Sequence, residues 1–143
     1  MEILNYTDID KEIFETFTEN EWRIADAEHY GDNPPDFTEI VFTLLAKHDG
    51  QIVGQIKCDV SQGVAKIDSL LVAKDQQGRG VGSSLLQAAE KQIKELGAHK
   101  VSLETGVNWS AKDFYEKNGY IVRAILPNDV AGQDFVLMDK MVG

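Results

Sequence analysis

The chain has 143 residues, 43% of them apolar and 27% charged, which is typical of one globular domain and excludes a disordered tail. A formal charge of −10, with only 14 Lys and Arg residues, argues against nucleic-acid binding. No apolar stretch is long enough to cross a bilayer and no basic-then-apolar leader opens the chain, so the sequence predicts a cytoplasmic protein that spans no membrane.

The N-terminal part of the chain is predicted to be helical. Apolar side chains recur at helical spacings over residues 8–30, and the pattern predicts two helices with a break near residues 18–21. Pro34 and Pro35 then end the helical region, because proline lacks a backbone donor and disfavours helix in the residue before it.

The middle of the chain is predicted to be a β-meander. Asp49-Gly50 separates apolar runs at residues 40–47 and 51–60, and Asp-Gly in this position is a strong hairpin signal. A third run at residues 64–73 follows after a short turn. The three runs therefore predict three consecutive antiparallel strands.

The C-terminal half alternates helices and strands. After a glycine-rich segment at residues 77–82, a helical apolar stripe runs to Leu96 and stops at Gly97, a usual helix C-terminal residue. A strand at residues 101–104 follows and is predicted to lie parallel to the strand before the helix. The fold class is therefore α+β with a mixed sheet in a single domain, residues 1–143. A helix at 109–117 and strands at 120–126 and 134–141 complete the prediction.

The glycine-rich segment between strand and helix is suited to an anion. Glycines at 78, 80 and 82 let the backbone approach a ligand oxygen, and the first amides of the following helix are unpaired. The same glycines would also serve a tight turn alone. The Gly-x-x-x-x-Gly-Lys-[Ser/Thr] and Gly-x-Gly-x-x-Gly phosphate loops are both absent.

Two segments resemble one known family. The spacing Gln77-x-x-Gly80-x-Gly82 between strand and helix, together with residues 108–120 (NWSAKDFYEKNGY), is similar to the two conserved regions of the GNAT superfamily of N-acetyltransferases. The resemblance covers roughly residues 52–120. It implies a GNAT-like fold: a central mixed, mostly antiparallel sheet, flanked by helices, whose strands at 64–72 and 101–104 splay apart around acetyl-CoA.

The resemblance also implies which residues bind the cofactor. The turn amides would meet the pyrophosphate, the strand end before the turn would pair with the pantetheine arm, and Asn108 would contact that arm or cap the next helix. The candidate cofactor-binding residues are Leu70, Leu71, Val72, Gln77, Gly78, Arg79, Gly80, Val81, Gly82, Ser83 and Asn108.

Catalysis is assigned to three residues. The resemblance places Tyr115 near the sulfur of coenzyme A as general acid, although packing in an amphipathic helix would also explain it. An ammonium group must lose a proton before it attacks, and Glu104 and Asp68 are candidate bases beside the predicted gap. Solvated or structural carboxylates, with water as the base, are the alternative.

The predicted partner is an amine acceptor, and the negative net charge would favour a cationic one, although acidic side chains also serve solubility alone. A non-catalytic acyl-CoA-binding module, a longer acyl-CoA and a hydroxyl acceptor stay open as alternatives. No metal is expected, since the three histidines show no metal-ligand spacing. The family includes dimers, so a homodimer is a candidate assembly.

Overall fold

A computed structural model describes all 143 residues and divides them into two compact units, Met1–Asp36 and Phe37–Gly143. The first unit contains one long helix, and the second contains a six-stranded sheet with two helices. The prediction of a single domain stays a prediction. No helix is both long and apolar enough to cross a membrane. The elements are α1 (Lys11–Tyr30), β1 (Ile40–His48), β2 (Gln51–Ser61), β3 (Val64–Val72), α2 (Val81–Glu95), β4 (Lys100–Gly106), α3 (Ser110–Lys117), β5 (Ile121–Leu126) and β6 (Phe135–Met141).

Helix α1 is continuous, and the predicted break near residues 18–21 is wrong. The helix starts at Asp10, whose carboxylate accepts hydrogen bonds from the amides of Glu12 and Ile13 at 3.0 and 3.3 Å. It ends at Gly31, which adopts a φ of +68°. Residues 18–21 interrupt the apolar stripe but contain no proline or glycine, so nothing interrupts the helical hydrogen bonds there.

The sheet of the second unit has the strand order β1-β2-β3-β4-β6-β5. Strands β3 and β4 are parallel and every other neighbouring pair is antiparallel. The predicted meander, the crossover through α2 and the α+β class with a mixed, mostly antiparallel sheet are confirmed. Because β3 and β4 are parallel, their carboxyl ends lie at the same edge of the sheet, next to the start of α2.

One face of the sheet forms the apolar core with α2 and α3. Helix α2 places Leu86 and Ile93 on one stripe, and β2 turns Ile56 and Cys58 to the same core by strand alternation. Each of these four side chains is at most 1% exposed. Burial of an aliphatic side chain stabilises the fold by about 1.5–3 kcal/mol, so this stripe holds α2 against the sheet.

A charged network joins α2 to the last strand. The Tyr120 hydroxyl donates to Glu90 Oε1 at 3.0 Å, and Lys140 Nζ donates to Glu90 Oε2 at 2.9 Å. Tyr120 is only 1% exposed, so its hydroxyl requires a partner in the core. The network fixes the Tyr120 ring, which packs edge-to-face against Tyr115 with centroids 5.4 Å apart.

We expect stability to fall in alkaline solution above about pH 9. Burial raises the pKa of Cys58 from 9.0 to about 12 and that of Tyr115 from 10.0 to about 12, and it also raises the pKa of Tyr120. The folded chain therefore binds more protons than the unfolded chain between these values, and the free energy of unfolding decreases as pH rises through this window. Melting temperatures measured from pH 7 to 11 test this. The Cys58→Ala variant should move the onset from about pH 9 towards the ordinary tyrosine pKa of 10.0; an unchanged onset would contradict the assignment to Cys58.

Candidate active site

Strands β3 and β4 separate soon after they begin. Residues 64–66 pair with residues 100–102, whereas β3 continues to Val72 and β4 to Gly106 without further pairing between them. Each strand stays paired on its other side, β3 with β2 and β4 with β6. The predicted splay is therefore present, and the main-chain groups that face the gap have no partner strand there.

The turn before α2 exposes the first amides of that helix. Gly80 is the N-cap residue, with a φ of +83°, and no side chain caps the helix there. The Gln77 side chain instead donates to the Val72 carbonyl at 3.1 Å, which ties the turn to the end of β3. An uncapped helix start with partial positive charge is a favourable site for a phosphate group.

A cavity of about 400 Å³ lies beside this turn. Three segments supply its walls: the end of β3, the turn with the first residues of α2, and the first part of α3. The structure thus brings the two sequence motifs together around one space. The lining residues are Leu70, Val72, Gln76, Gln77, Gly78, Gly80, Val81, Gly82, Ser83, Ser110, Ala111, Phe114 and Tyr115.

Leu71, Arg79 and Asn108, three predicted cofactor-binding residues, do not line the cavity. The side chain of Leu71 is 60% exposed because strand alternation turns it away from its neighbours Leu70 and Val72. Arg79 instead borders a second cavity of about 560 Å³. Asn108 is also not the helix cap, since Trp109 occupies the N-cap position of α3 without a side-chain hydrogen bond.

Tyr115 reaches the cavity from α3. Its side chain is 6% exposed and packs edge-to-face against Phe114 and Tyr120, with ring centroids 5.2 and 5.4 Å away. Its hydroxyl has no protein partner, yet no fully buried side-chain polar atom is unsatisfied, so this hydroxyl opens on the cavity. Burial, together with the nearby Cys58, raises its pKa to about 12. The phenol therefore stays protonated at neutral pH and is a hydrogen-bond donor.

Asp68 and Glu104 flank the gap between β3 and β4. The last paired positions are Lys66 and Ser102, and the two carboxylates lie two residues further along their strands. Strand alternation places Glu104 on the sheet face opposite Leu103, which is buried in the core beneath the helices. Asp68 is the extra residue of a β-bulge against β2, and such bulges redirect a side chain.

Asp59 is a third carboxylate of this region, and sequence reasoning missed it. It lies on β2, paired with Lys66, and its carboxyl is close enough to Asp68 for the two carboxylates to interact electrostatically. Burial raises the pKa of Asp59, and the neighbouring Asp68 raises it further. Only the register of β2 against β3, including the bulge, makes this contact visible.

Comparison with known proteins identifies the family. Residues 6–120 match the family described as Acetyltransferase (GNAT) family, which includes both segments that surround the cavity. The chain belongs to the GNAT family. The resemblance seen in the two motifs is thereby confirmed over most of the chain.

Individual GNAT relatives align over part of their length. An uncharacterised N-acetyltransferase of Methanocaldococcus jannaschii is 35% identical over 99 residues, covering 67% of this chain and 64% of that protein. N-alpha-acetyltransferase 30 of Schizosaccharomyces pombe is 33% identical over 85 residues, covering 55% and 57%. The chain thus spans less than two thirds of both relatives.

A solved acetyltransferase structure resembles the whole chain. An acetyltransferase from Bacillus cereus superposes with a TM-score of 0.74 at 22% identity, covering 99% of this chain and 97% of that one. At this identity the likeness concerns the fold alone. It agrees with the mixed sheet and helices of this GNAT chain.

Four residues that were not predicted as candidates also line the cavity beside the turn. Gln76, Ser110, Ala111 and Phe114 lie within or beside the two recognised segments, so proximity to Gln77 and Tyr115 could have suggested them. No group of three or more His, Cys, Asp or Glu side chains could hold a metal ion.

Proposed function

We propose that this protein is an N-acetyltransferase that uses acetyl-CoA and acetylates a primary amine of a small molecule or polypeptide. One observation carries the proposal: a single cavity of about 400 Å³ has the uncapped start of α2 in its wall together with the hydroxyl-bearing ring of Tyr115. The gap between β3 and β4 opens beside Leu70 and Val72, which also line it. An anion site, a proton donor and an opening for a second substrate are the requirements of acyl transfer from a phosphorylated thioester.

The turn residues fit the pyrophosphate of coenzyme A. Gly80 has nothing within 4 Å of the position a Cβ would take, so the space beside its backbone is open to a ligand. The amides of Val81, Gly82 and Ser83 follow directly, and the helix dipole favours anions there. When bound, acetyl-CoA would supply an acetyl group activated as a thioester.

In this proposal Tyr115 assists departure of the thiolate by hydrogen bonding. Full proton transfer from a phenol of pKa about 12 to a thiolate whose conjugate acid has a pKa of about 8.5 is uphill by about 5 kcal/mol. A short-lived negative charge on sulfur is nevertheless stabilised by a donated hydrogen bond in a site of low dielectric. Tyr115 is thus a donor to the leaving group rather than a complete proton source.

In this proposal the attacking amine loses its proton at the gap between β3 and β4, beside Glu104 and Asp68. An alkylammonium of pKa about 10.4 is almost entirely protonated at pH 7, so a base or a water chain is required. Glu104 is our first candidate and Asp68 the second, since both follow the last paired positions of β3 and β4. The cationic acceptor would also be attracted by a chain of net charge −10.

The test is an amine panel assayed for thiol release from acetyl-CoA, combined with calorimetry in excess chelator. We expect acetyl-CoA to bind with the same affinity with and without chelator, because backbone amides supply the anion site. At least one primary amine should release thiol, whereas its hydroxyl analogue should not. Loss of binding in chelator would contradict the metal-free site, and binding without turnover on any amine would favour a non-catalytic acyl-CoA-binding module.

A further inference from the structure

Trp109 presents a fixed aromatic surface at the end of β4. The indole lies directly over Gly106: a Cβ built on Gly106 would lie 2.6 Å from three indole ring atoms. Its edge-to-face partner is Phe135, with centroids 5.2 Å apart, and Phe135 is only 7% exposed. Trp109 itself is 50% exposed. The ring is therefore packed on one side and open on the other.

Strand alternation determines the side of the sheet on which the indole lies. Leu103 and Thr105 are buried, so Glu104 and the missing side chain of Gly106 point to the opposite face. The indole fills the place of that missing side chain, and it therefore shares a face with Glu104. Glu104 and Gly106 are about 7 Å apart along the strand.

Between Trp109 and Ala111 the chain passes from the sheet face that carries Glu104 to the cavity. Trp109 precedes Ser110 and Ala111, which both line the cavity, while its own ring lies against Gly106. An aromatic face and a carboxylate therefore lie across the sheet from the proposed cofactor cavity, beside the gap that β3 and β4 leave open. A second substrate that enters the gap from that side meets both groups.

We propose that Trp109 is a specificity-determining residue. The exposed side of its indole ring, together with Glu104 on the same face of the sheet, receives the alkylammonium group of the acceptor. The inference rests on the proposed function and names its substrate class. An ammonium group gains cation–π attraction from an indole ring and Coulomb attraction from a carboxylate, and a neutral group of the same shape gains neither. A purely structural Trp109 would show no preference for charge.

The test uses choline and its neutral isostere 3,3-dimethylbutan-1-ol without acetyl-CoA, so that it does not depend on catalysis. The chain has two tryptophans, and the Trp22→Phe variant leaves Trp109 as the fluorophore. We expect choline to change the fluorescence saturably, with an affinity at least five times that of the alcohol. Equal affinities for the two compounds would overturn the proposal. The absence of a fluorescence change with either compound up to 0.1 M, about 100 times the Kd of a millimolar site, would also overturn it.

Two further variants identify the groups involved. Glu104→Gln in the Trp22→Phe background should weaken choline binding at least threefold, because it removes the charge and keeps the shape; unchanged affinity would remove Glu104 from the proposal. Gly106→Ala places a methyl group where the indole lies, and it should abolish choline binding if the variant folds. If that variant does not fold, the comparison of Trp109→Leu with Trp109→Phe below decides the role of the indole.

Kinetics on the best amine of the panel provide the second readout. Trp109→Leu should raise KM for the amine about fivefold and leave kcat and acetyl-CoA affinity unchanged, while Trp109→Phe should retain most of the affinity. An equal loss for Leu and Phe would overturn the aromatic role. If choline binds as expected but no amine is acetylated, the proposed reaction fails while the cation site stands. If an amine is acetylated but choline is not preferred over the alcohol, the reaction stands and the cation site fails.

Discussion

Replacing Tyr115 by Phe is expected to lower turnover about 100-fold. The substitution removes only the hydroxyl, which has no protein partner and opens on the cavity, so the ring contacts with Phe114 and Tyr120 persist. Proton donors to a leaving group contribute about 100- to 10,000-fold, and a role limited to hydrogen bonding corresponds to the lower end. Turnover is measured by thiol release on an amine from the panel, together with acetyl-CoA affinity and melting temperature, both of which should change little.

Tyr120→Phe is the matched control for that experiment. Tyr120 is also buried, but its hydroxyl is bonded to Glu90 at 3.0 Å and does not line the cavity. Its loss should cost about 2 kcal/mol in the free energy of unfolding, since a hydrogen bond to a charged group is removed, while turnover should fall much less. If Tyr115→Phe retains full turnover, Tyr115 is a packing residue; if both variants lose activity in proportion to stability, the proposed role of Tyr115 is also contradicted.

Replacing Gly80 by Val is expected to weaken acetyl-CoA binding at least 100-fold. A side chain at this position would occupy the open space beside the first amides of α2, where the pyrophosphate is proposed to bind. The φ of +83° also strains any residue with a Cβ, so the free energy of unfolding should drop by about 1–3 kcal/mol. Calorimetry measures the affinity and denaturant unfolding measures the stability.

Gly97→Val separates these two effects. Gly97 has a φ of +85°, and a Cβ there would also meet nothing within 4 Å, but it follows α2 at the other end of the helix and does not line the cavity. Both variants should therefore lose similar stability, and only Gly80→Val should lose acetyl-CoA affinity. Normal binding by a folded Gly80→Val variant would show that the pyrophosphate does not bind at this turn.

Helix α1 illustrates where a local pattern misleads. The apolar stripe weakens at residues 18–21, and this gap predicted a break that the structure does not contain. Apolar periodicity reports which side chains can be buried, whereas helix continuity depends on backbone hydrogen bonds and on the absence of proline and glycine. A polar stretch within a helix therefore resembles a loop in the pattern while the backbone continues unchanged.

The carboxylates illustrate the opposite limit. Asp68 and Glu104 could be proposed from the sequence, because Glu104 ends its predicted strand, Asp68 lies within the adjoining parallel strand, and the family resemblance implies that these two strands splay apart there. Asp59 could not, because its contact with Asp68 depends on the antiparallel register and on the bulge between β2 and β3. A shift of one residue in that register would turn Asp59 to the other face.

The sequence by itself determined the order and type of the second unit's elements and, through its two motifs, the GNAT family, together with the turn at Gly80 and the helix that carries Tyr115. These features are encoded by contiguous residues, so spacing and turn chemistry suffice to predict them. Only the tertiary structure decided that the two motifs share one cavity, and that Trp109 lies over Gly106 on the face of Glu104. Those arrangements depend on where pairing between β3 and β4 stops and on which side each strand turns its residues, which are long-range contacts that no local segment encodes.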